Sequence, residues 1–417
     1  MNSSAVSAQY GAAEDNYGNE AGGGKRKMIS EEMYRLGSRR SSIRELFEYG
    51  KAAAVRDGAE NVFDFSLGNP STPPPEIFTK TLAGIIENEE PCSVHGYTSA
   101  QGAVETRRAV ADDLKARFGA SVSPDRIYMT CGAAASLSIT FRALVSSRDD
   151  VILATAPFFP EYRVFAEGAG ASFDAVPPDT ENFGVNLDAL EKKLTDRAAA
   201  VIINSPNNPT GAIIPRKTLE GLARLLERKS AEYGHAIYIV SDEPYREITY
   251  GKEVPYIPAI YRNTVICYSY SKSLSLPGER IGYIALPDGI TDCDRLYYAI
   301  CGAGRSLGYV CAPALMQKAV ARCAGAVSDI SPYRRNRDLL YSALTAFGYE
   351  CVKPDGAFYL FIKAPGGDSA AFGEKAKARN LLVVPGDDFG CPGYLRISYC
   401  VPYEVVKRSL PVFGELI

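Results

Sequence analysis

Residues 201–211 read VIINSPNNPTG, an unbroken apolar run followed at once by a polar loop that contains two prolines. Similar apolar runs occur at 151–154, 237–240 and 265–267, a short strand-like run occurs at 127–130, and segments with helical apolar spacing lie between the runs. Runs without polar alternation are typical of strands that are buried on both faces. Their alternation with helices predicts an α/β fold, with a mainly parallel central sheet flanked by helices.

The sequence after about residue 310 has a different pattern. A helical segment starts near Ser331, and strand-like runs occur at 358–362, 381–384 and 394–398. This mixture of a long helix and short strands predicts a second, smaller domain of the α+β type.

Four segments are therefore predicted: a disordered tail at 1–28, an N-terminal segment at 29–65, a large domain at 66–310 and a small C-terminal domain at 311–417. The tail is rich in Gly, Ser and Ala, and it has too few large apolar side chains to offset the entropy of ordering. The N-terminal segment is expected to pack with the small domain.

Composition argues against several classes of protein. Lys and Arg total 46 against 49 Asp and Glu, and this net charge of −3 gives no bulk attraction to nucleic acid or to an anionic membrane. No apolar stretch approaches the roughly 18 residues of a membrane span, so a soluble protein is expected. The ten cysteines form no C-x-x-C pair and there are only two histidines, so no metal site is expected. Scattered cysteines without a secretory leader pattern favour the cytoplasm.

Four polar segments follow or end the apolar runs, which is where ligands bind in open α/β sheets. They are 130–136, 204–211, 241–245 and 269–272, and Arg280 lies eight residues beyond the last. Each has an ordinary structural explanation: a tight turn, a rigid surface loop, a helix-capping aspartate and a solvated lysine. A lysine that is partly desolvated beside a second cation, however, has a lowered pKa and a nucleophilic amine. Their occurrence in this order is more informative than any one of them.

The sequence resembles the class I/II aminotransferases, which are fold type I enzymes that depend on pyridoxal 5′-phosphate (PLP). The resemblance covers about residues 30–415. Seven motifs carry it, in the family's order and spacing: Leu67-Gly68-Asn69-Pro70, Gly96-Tyr97, Pro157-Phe158-Phe159, Asn207-Asn208-Pro209-Thr210-Gly211, Ser241-Asp242-Glu243-Pro244-Tyr245, Ser269-Tyr270-Ser271-Lys272 with Arg280, and Leu395-Arg396-Ile397-Ser398.

The resemblance implies cofactor roles for the matching residues. Lys272 matches the lysine that forms the Schiff base with PLP, and Asp242 matches the carboxylate that pairs with the pyridinium nitrogen. Tyr245 and Asn208 match the partners of the phenolate oxygen, and Phe159 matches the aromatic residue stacked on the ring. The phosphate cup would consist of the amides of Ala133 and Ala134 and the side chains of Ser269, Ser271 and Arg280. Many relatives have a polar side chain in the turn that here reads Ala133-Ala134-Ala135, so a side-chain contact to the phosphate is lost.

The resemblance also implies how substrates and subunits are arranged. Arg396 matches the arginine that binds the substrate α-carboxylate, and Gly68 and Asn208 match residues near the same group. Tyr97 matches a tyrosine that reaches the phosphate of the neighbouring subunit, which implies a homodimer with shared active sites. An arginine for a substrate side-chain carboxylate is not evident, and Arg40 and Arg305 are loose candidates.

Aminotransfer is the leading hypothesis for the function. An amino group would move from an L-amino acid to a 2-oxo acid, with 2-oxoglutarate as the expected acceptor, by a ping-pong reaction through pyridoxamine phosphate. A PLP-dependent C–S β-lyase would share the same cofactor motifs. A PLP-binding regulator would need an N-terminal DNA-binding domain, for which residues 1–28 are too short. A nicotinamide dehydrogenase is disfavoured because no G-x-G-x-x-G opens a helix after a strand.

Overall fold

The structure is a computed structural model that describes residues 28–38 and 41–417. Contacts divide the chain into two units, Met1–Ser41 and Ser42–Ile417. In the described part of the first unit, helix α1 (Glu31–Ser38) has no buried side chain. Arg40 and all of the predicted tail except Met28 lie outside the described residues.

The second unit contains the other helices and all strands of the described chain. The helices are α2 (Ser42–Asp57), α3 (Glu76–Asn88), α4 (Pro91–His95), α5 (Val104–Phe118), α6 (Ala133–Leu144), α7 (Glu161–Gly168), α8 (Leu187–Lys193), α9 (Arg216–Tyr233), α10 (Tyr270–Ser273), α11 (Cys293–Ser306), α12 (Ala314–Arg322), α13 (Ser331–Phe347), α14 (Ser369–Lys377) and α15 (Tyr403–Glu415). The strands are β1 (Phe63–Asp64), β2 (Ile127–Thr130), β3 (Val151–Thr155), β4 (Ser172–Val176), β5 (Ala198–Asn204), β6 (Tyr238–Asp242), β7 (Thr264–Ser269), β8 (Gly282–Ala285), β9 (Tyr359–Lys363), β10 (Leu381–Leu382), β11 (Val384–Pro385) and β12 (Tyr394–Ser398).

The central sheet has seven strands in the order β2-β8-β7-β6-β5-β3-β4. Only β8 runs against its neighbours, and the other pairs are parallel. In β5, Val201 and Ile203 pack with Leu222 of α9 on one face, whereas Ile202 packs with Phe141 of α6 on the other. Burial on both faces explains the unbroken apolar run and confirms the predicted α/β fold.

The polar ends of three parallel strands lie side by side. Asn204 ends β5 and pairs in register with Asp242, which ends β6. Ser269 ends β7, and the short helix α10 that carries Lys272 begins at the next residue. Because parallel strands point the same way, these residues meet at the carboxyl edge of the sheet.

A second sheet has the order β11-β12-β9 and is antiparallel. It contains Arg396 on β12, paired in register with Phe361 of β9 and with Val384 of β11. Its apolar side chains pack with α13 and α15 in a core of their own. This core is separate from those that cover the two faces of the central sheet.

The prediction of a single strand at 381–384 is wrong, because the structure divides this segment into two strands. Leu381–Leu382 pairs with β1, whereas Val384–Pro385 pairs with β12. An apolar run predicts a buried strand but carries no information about its partner. The structure also contains strands β4 and β8, which the sequence pattern does not predict.

Helix α2 packs on the C-terminal strands, since Leu46 and Ala53 contact the cluster that contains Leu382, Val384 and Phe389. The predicted boundary between a large and a small domain near residue 310 stays a prediction. Within the described residues, no helix combines the length and the apolar character that a membrane span requires.

Candidate active site

The carboxyl group of Asp242 is buried, and only one of its two oxygens has a hydrogen-bond partner. Tyr162 of α7 donates to Oδ2 at 2.5 Å, and Asn204 donates to the same oxygen at 3.4 Å and to the Asp242 carbonyl at 2.9 Å. The other oxygen, Oδ1, is buried without a hydrogen-bond partner. Burial raises the pKa of Asp242 to about 7, although the Tyr162 hydrogen bond lowers it. Oδ1 can therefore accept a hydrogen bond from a protonated nitrogen.

Lys272 lies one turn beyond the end of β7. Its helix is capped by Ser269, whose Oγ accepts from the Ser271 amide at 3.2 Å. Nζ of Lys272 donates to the carbonyl of Gly68 at 2.7 Å. Burial lowers the pKa of Lys272 to about 8, and the charges of Arg280 and Arg396 act in the same direction. About a tenth of the amine is then neutral and nucleophilic at pH 7, and about half at pH 8.

An anion-binding cradle forms where β2 meets α6. The helix begins at Ala133 after Gly132, whose φ of 87° favours glycine. The Arg280 guanidinium lies against this turn, and a Cβ on Gly132 would be 2.7 Å from Nη2. Nη1 of Arg280 donates to Ser271 Oγ at 3.3 Å, which is 2.7 Å from Ser269 Oγ. Helix amides, hydroxyls and a guanidinium together are suited to a phosphate.

Arg396 is 2% exposed and has no ion pair among the described residues. Nη1 donates to Asn208 Oδ1 at 3.2 Å, Nη2 donates to the carbonyl of Ser66, and Nε has no partner. The guanidinium lies 5.0 Å from the ring centroids of both Tyr359 and Phe389. Burial lowers its pKa. A buried cation with only neutral acceptors is a good receptor for a carboxylate.

Tyr245 reaches the same region from the loop after β6. Its hydroxyl is hydrogen-bonded to the Tyr359 hydroxyl at 2.8 Å, and both residues are buried. Sequence reasoning missed Tyr359, together with Tyr162 and Asn204. The signal for Tyr359 was a tyrosine inside an apolar strand, because a buried phenol needs a hydrogen-bond partner.

The remaining sequence-predicted residues are placed as follows. Phe159 packs edge-to-face on Tyr162 at 5.7 Å between ring centroids, so it lies beside the hydrogen-bond partner of Asp242. Tyr97 is 100% exposed and does not pack with the other site residues within its own chain. Arg305 is also exposed, near the end of α11.

The sequence profile described as aminotransferase class I and II matches residues 60–411. The chain belongs to this family. It is a PLP-dependent aminotransferase with the type I fold of these enzymes. The resemblance seen in the seven motifs is thereby confirmed.

Curated relatives of this aminotransferase match over nearly their full length. A probable aspartate aminotransferase of Methanocaldococcus jannaschii is 29% identical, and the match covers 90% of this chain and 96% of the relative. Aromatic-amino-acid aminotransferase 2 of Thermococcus litoralis is 30% identical, with 89% and 94% covered.

Solved structures agree with this family. An amino transferase from Eubacterium rectale is 55% identical with a TM-score of 0.92, covering 94% of this chain and 98% of that one. The aspartate aminotransferase of Thermus thermophilus with maleate is 26% identical with a TM-score of 0.82, covering 94% and 100%.

The residues of this aminotransferase fit PLP. The orphaned Oδ1 of Asp242 suits a protonated ring nitrogen. The turn at Gly132, which a Cβ would obstruct, lies beside Arg280 and suits the phosphate. Lys272, with its lowered pKa, would hold the cofactor covalently.

Proposed function

We propose that this aminotransferase moves an amino group from an L-amino acid to 2-oxoglutarate by a ping-pong reaction through pyridoxamine phosphate. The observation that carries the proposal is Arg396, which lies in the same site as Lys272. Its guanidinium is buried and forms no salt bridge with a carboxylate of the described residues, although the charge of Asp64 acts on it from a greater distance. The donor and the acceptor of an aminotransfer share an α-carboxylate, so one arginine serves both half-reactions.

The geometry of the site supports a set of cofactor contacts. When bound, PLP supplies an electron sink for the carbanion at the substrate Cα. Asp242 Oδ1 would accept a hydrogen bond from the ring nitrogen, and Tyr245 would donate to the phenolic oxygen. Because Asn208 Oδ1 already accepts from Arg396, the amide of Asn208 would present Nδ2 as the donor to the same oxygen. Phe159 would stack on the ring.

Lys272 is proposed to transfer the proton of the reaction. When it is not bound to the cofactor, its amine would take the proton from the substrate Cα and later return a proton as a general acid. A pKa of about 8 is close to the pH of the cytoplasm, which suits a group that acts first as base and then as acid. The Gly68 carbonyl, which accepts from Nζ at 2.7 Å, restrains the side chain.

A panel of amino acids with 2-oxoglutarate tests the proposal. Aspartate and the aromatic amino acids come first, because relatives carry those names. Formation of glutamate and of the oxo acid of the donor is expected, and Lys272→Ala should abolish it. Lys252→Ala, which changes an exposed lysine paired with Asp355, is the matched control and should keep full activity. Release of ammonia and pyruvate without an acceptor would instead establish a β-lyase.

We further propose a cytoplasmic homodimer in which Tyr97 contributes to the partner's phosphate cup. The full exposure of Tyr97 supports this arrangement, because a tyrosine ring gains little by lying in water. The ten cysteines are all free, in keeping with a reducing compartment.

A further inference from the structure

Tyr359 lies where several groups of the active site meet. Its ring is 2% exposed and lies 5.0 Å from the guanidinium carbon of Arg396. A Cβ on Gly68 would overlap the Tyr359 hydroxyl, so the phenol packs directly on the backbone that accepts from Lys272. The same hydroxyl is 2.8 Å from the hydroxyl of Tyr245. Tyr359 thus contacts both the carboxylate-binding arginine and the tyrosine proposed to face the cofactor.

Either hydroxyl could be the donor in the 2.8 Å contact between Tyr359 and Tyr245. Each hydroxyl has one proton to donate. Because Tyr245 is proposed to donate its proton to the phenolic oxygen of the cofactor, it can only accept from Tyr359. The nearby Arg396 cation favours loss of the proton from both phenols, and burial raises the pKa of both.

We propose that Tyr359 is a positioning residue that donates to Tyr245 and thereby leaves the Tyr245 proton for the phenolic oxygen of the cofactor. The inference rests on the proposed role of Tyr245. A hydroxyl that accepts one hydrogen bond becomes a stronger donor in the next, so Tyr359 strengthens the contact between Tyr245 and the cofactor. Removal of Tyr359 Oη would weaken that contact without removing any group that touches the cofactor.

The test is a spectroscopic pH titration of the holoenzyme carrying Tyr359→Phe. In the proposed site Tyr245 stabilises the deprotonated phenolic oxygen of the cofactor. A weaker hydrogen bond from Tyr245 to that oxygen should therefore raise the pH at which the visible absorbance of the bound cofactor is half changed, which is the midpoint of the titration. Cooperative strengthening of about 10–30% of a hydrogen bond to a charged oxygen predicts an upward shift of roughly 0.1–0.7 pH unit. Phe keeps the ring beside Arg396. An unchanged or lowered midpoint would overturn the inference.

A double-mutant cycle separates this inference from the proposed function. Tyr245→Phe alone should raise the midpoint by more than Tyr359→Phe, and Tyr359→Phe should add nothing in the Tyr245→Phe background. A residual shift in that background would mean that Tyr359 acts by another route, which contradicts the inference alone. If Tyr245→Phe left the midpoint unchanged, the proposed role of Tyr245 would fail as well.

The matched control is Tyr349→Phe, which also removes a buried hydroxyl, here one that donates to the Phe413 carbonyl at 2.9 Å. It should lower thermal stability and leave the midpoint unchanged. A midpoint shift in this control equal to that of Tyr359→Phe would show a general effect of destabilisation and would contradict the inference.

Discussion

The half-satisfied carboxyl of Asp242 should make the stability of the cofactor-free protein depend on pH. Its pKa is about 7 in the folded protein against 3.8 for the ordinary group, so the folded state binds the proton more tightly. The stability that this gives is fully present below pH 3.8 and is lost as the pH rises through about 7. This pKa difference corresponds to at most about 4 kcal/mol of unfolding free energy. Urea unfolding of the apoprotein at pH 5 and pH 8 measures the part of this effect that falls between the two pH values, about 2–3 kcal/mol, because the unfolded aspartate is already ionised at pH 5.

In this experiment Asp242→Asn should remove most of the decrease in unfolding free energy between the two pH values. Asp149→Asn, at a carboxylate whose side chain is 74% exposed, is the control and should keep the wild-type difference. Lys272 has the opposite effect at higher pH. Because its pKa is lowered in the folded protein, the unfolding free energy should increase between about pH 8 and 10.5. An equal decrease in wild type and Asp242→Asn would contradict the burial effect.

Arg396→Ala should lower kcat/KM for the amino donor and for the oxo-acid acceptor alike. Loss of a bidentate charge-assisted pair costs on the order of 2–5 kcal/mol, or roughly 30- to several-thousand-fold. PLP should stay bound, since among the proposed ligands of the PLP ring Arg396 hydrogen-bonds only Asn208. Steady-state kinetics of both half-reactions, with the visible spectrum, measure these effects.

Arg337→Ala is the matched control for Arg396, because Arg337 is also buried but is paired with Asp338 at 2.7 Å and stacked on Tyr250. This variant should lose thermal stability and keep the kcat/KM of the folded enzyme. If Arg396→Ala behaved in the same way, Arg396 would have a structural role only.

At the scale of single elements, the junction between β2 and α6 depends on Gly132. An alanine there would be strained at φ 87° and would meet Arg280 Nη2 at 2.7 Å. We expect Gly132→Ala to weaken PLP binding by at least about tenfold, because loss of one charge-assisted contact to phosphate costs about 1.5–3 kcal/mol. Titration of the apoenzyme with PLP measures the dissociation constant.

Gly58→Ala provides the control for Gly132→Ala. Gly58 has φ 90° and ψ 133°, and Gly132 has φ 87° and ψ 176°, so an alanine is strained at both positions. A Cβ on Gly58 would meet only the flexible side chain of Glu60, so this variant carries backbone strain without the clash at Arg280. It should lose some stability and keep the wild-type affinity for PLP. Equal losses of affinity in both variants would mean that strain, and not the contact with Arg280, is responsible.

The sequence was most informative about individual elements of the central sheet. The apolar runs predicted β3, β5, β6 and β7, because strands buried on both faces have little freedom in composition. The polar residues that follow them were therefore placed correctly at one edge of the sheet. The run at 381–384 was the exception, since its two halves pair with different strands.

Contacts between residues far apart in the sequence could not be predicted from the sequence. Tyr162 and Asp242 are 80 residues apart, and Tyr245 and Tyr359 are 114 residues apart. Neither pair has a local pattern, because the meeting of α7 with β6, and of the β6 loop with β9, depends on how whole elements pack. The family resemblance gave the proposed roles of Asp242 and Tyr245 but not their hydrogen-bond partners.

At the scale of the whole molecule, the site joins the two sheets. Asp242 ends β6 of the central sheet and Lys272 lies on α10, directly after β7, whereas Arg396 and Tyr359 come from the antiparallel sheet. The hydrogen bonds from Arg396 to Asn208 and between the two tyrosines connect these halves. The residues proposed to bind cofactor and substrate are thus contributed by elements with separate cores.

In the proposed homodimer, Tyr97 of the neighbouring subunit also contributes to each active site. Mixed dimers of two variants can test this contribution. If Tyr97 completes the partner's phosphate cup, a hybrid of a Lys272→Ala subunit with a Tyr97→Phe subunit contains one complete site. That site has the lysine of the Tyr97→Phe chain and the tyrosine of the Lys272→Ala chain. Random pairing of equal amounts gives hybrids in half of the dimers, so about a quarter of wild-type sites should be recovered.

The mixture is assayed after co-refolding, at a PLP concentration too low to saturate the Tyr97→Phe homodimer. Tyr298→Phe, at a tyrosine that is 71% exposed, replaces Tyr97→Phe as the control and should show wild-type PLP affinity as a homodimer. Activity above the sum of the two parent homodimers supports a shared site, because neither parent contains both groups in one site. Activity equal to that sum would mean that Tyr97 serves its own subunit or none, and the shared-site arrangement would be abandoned.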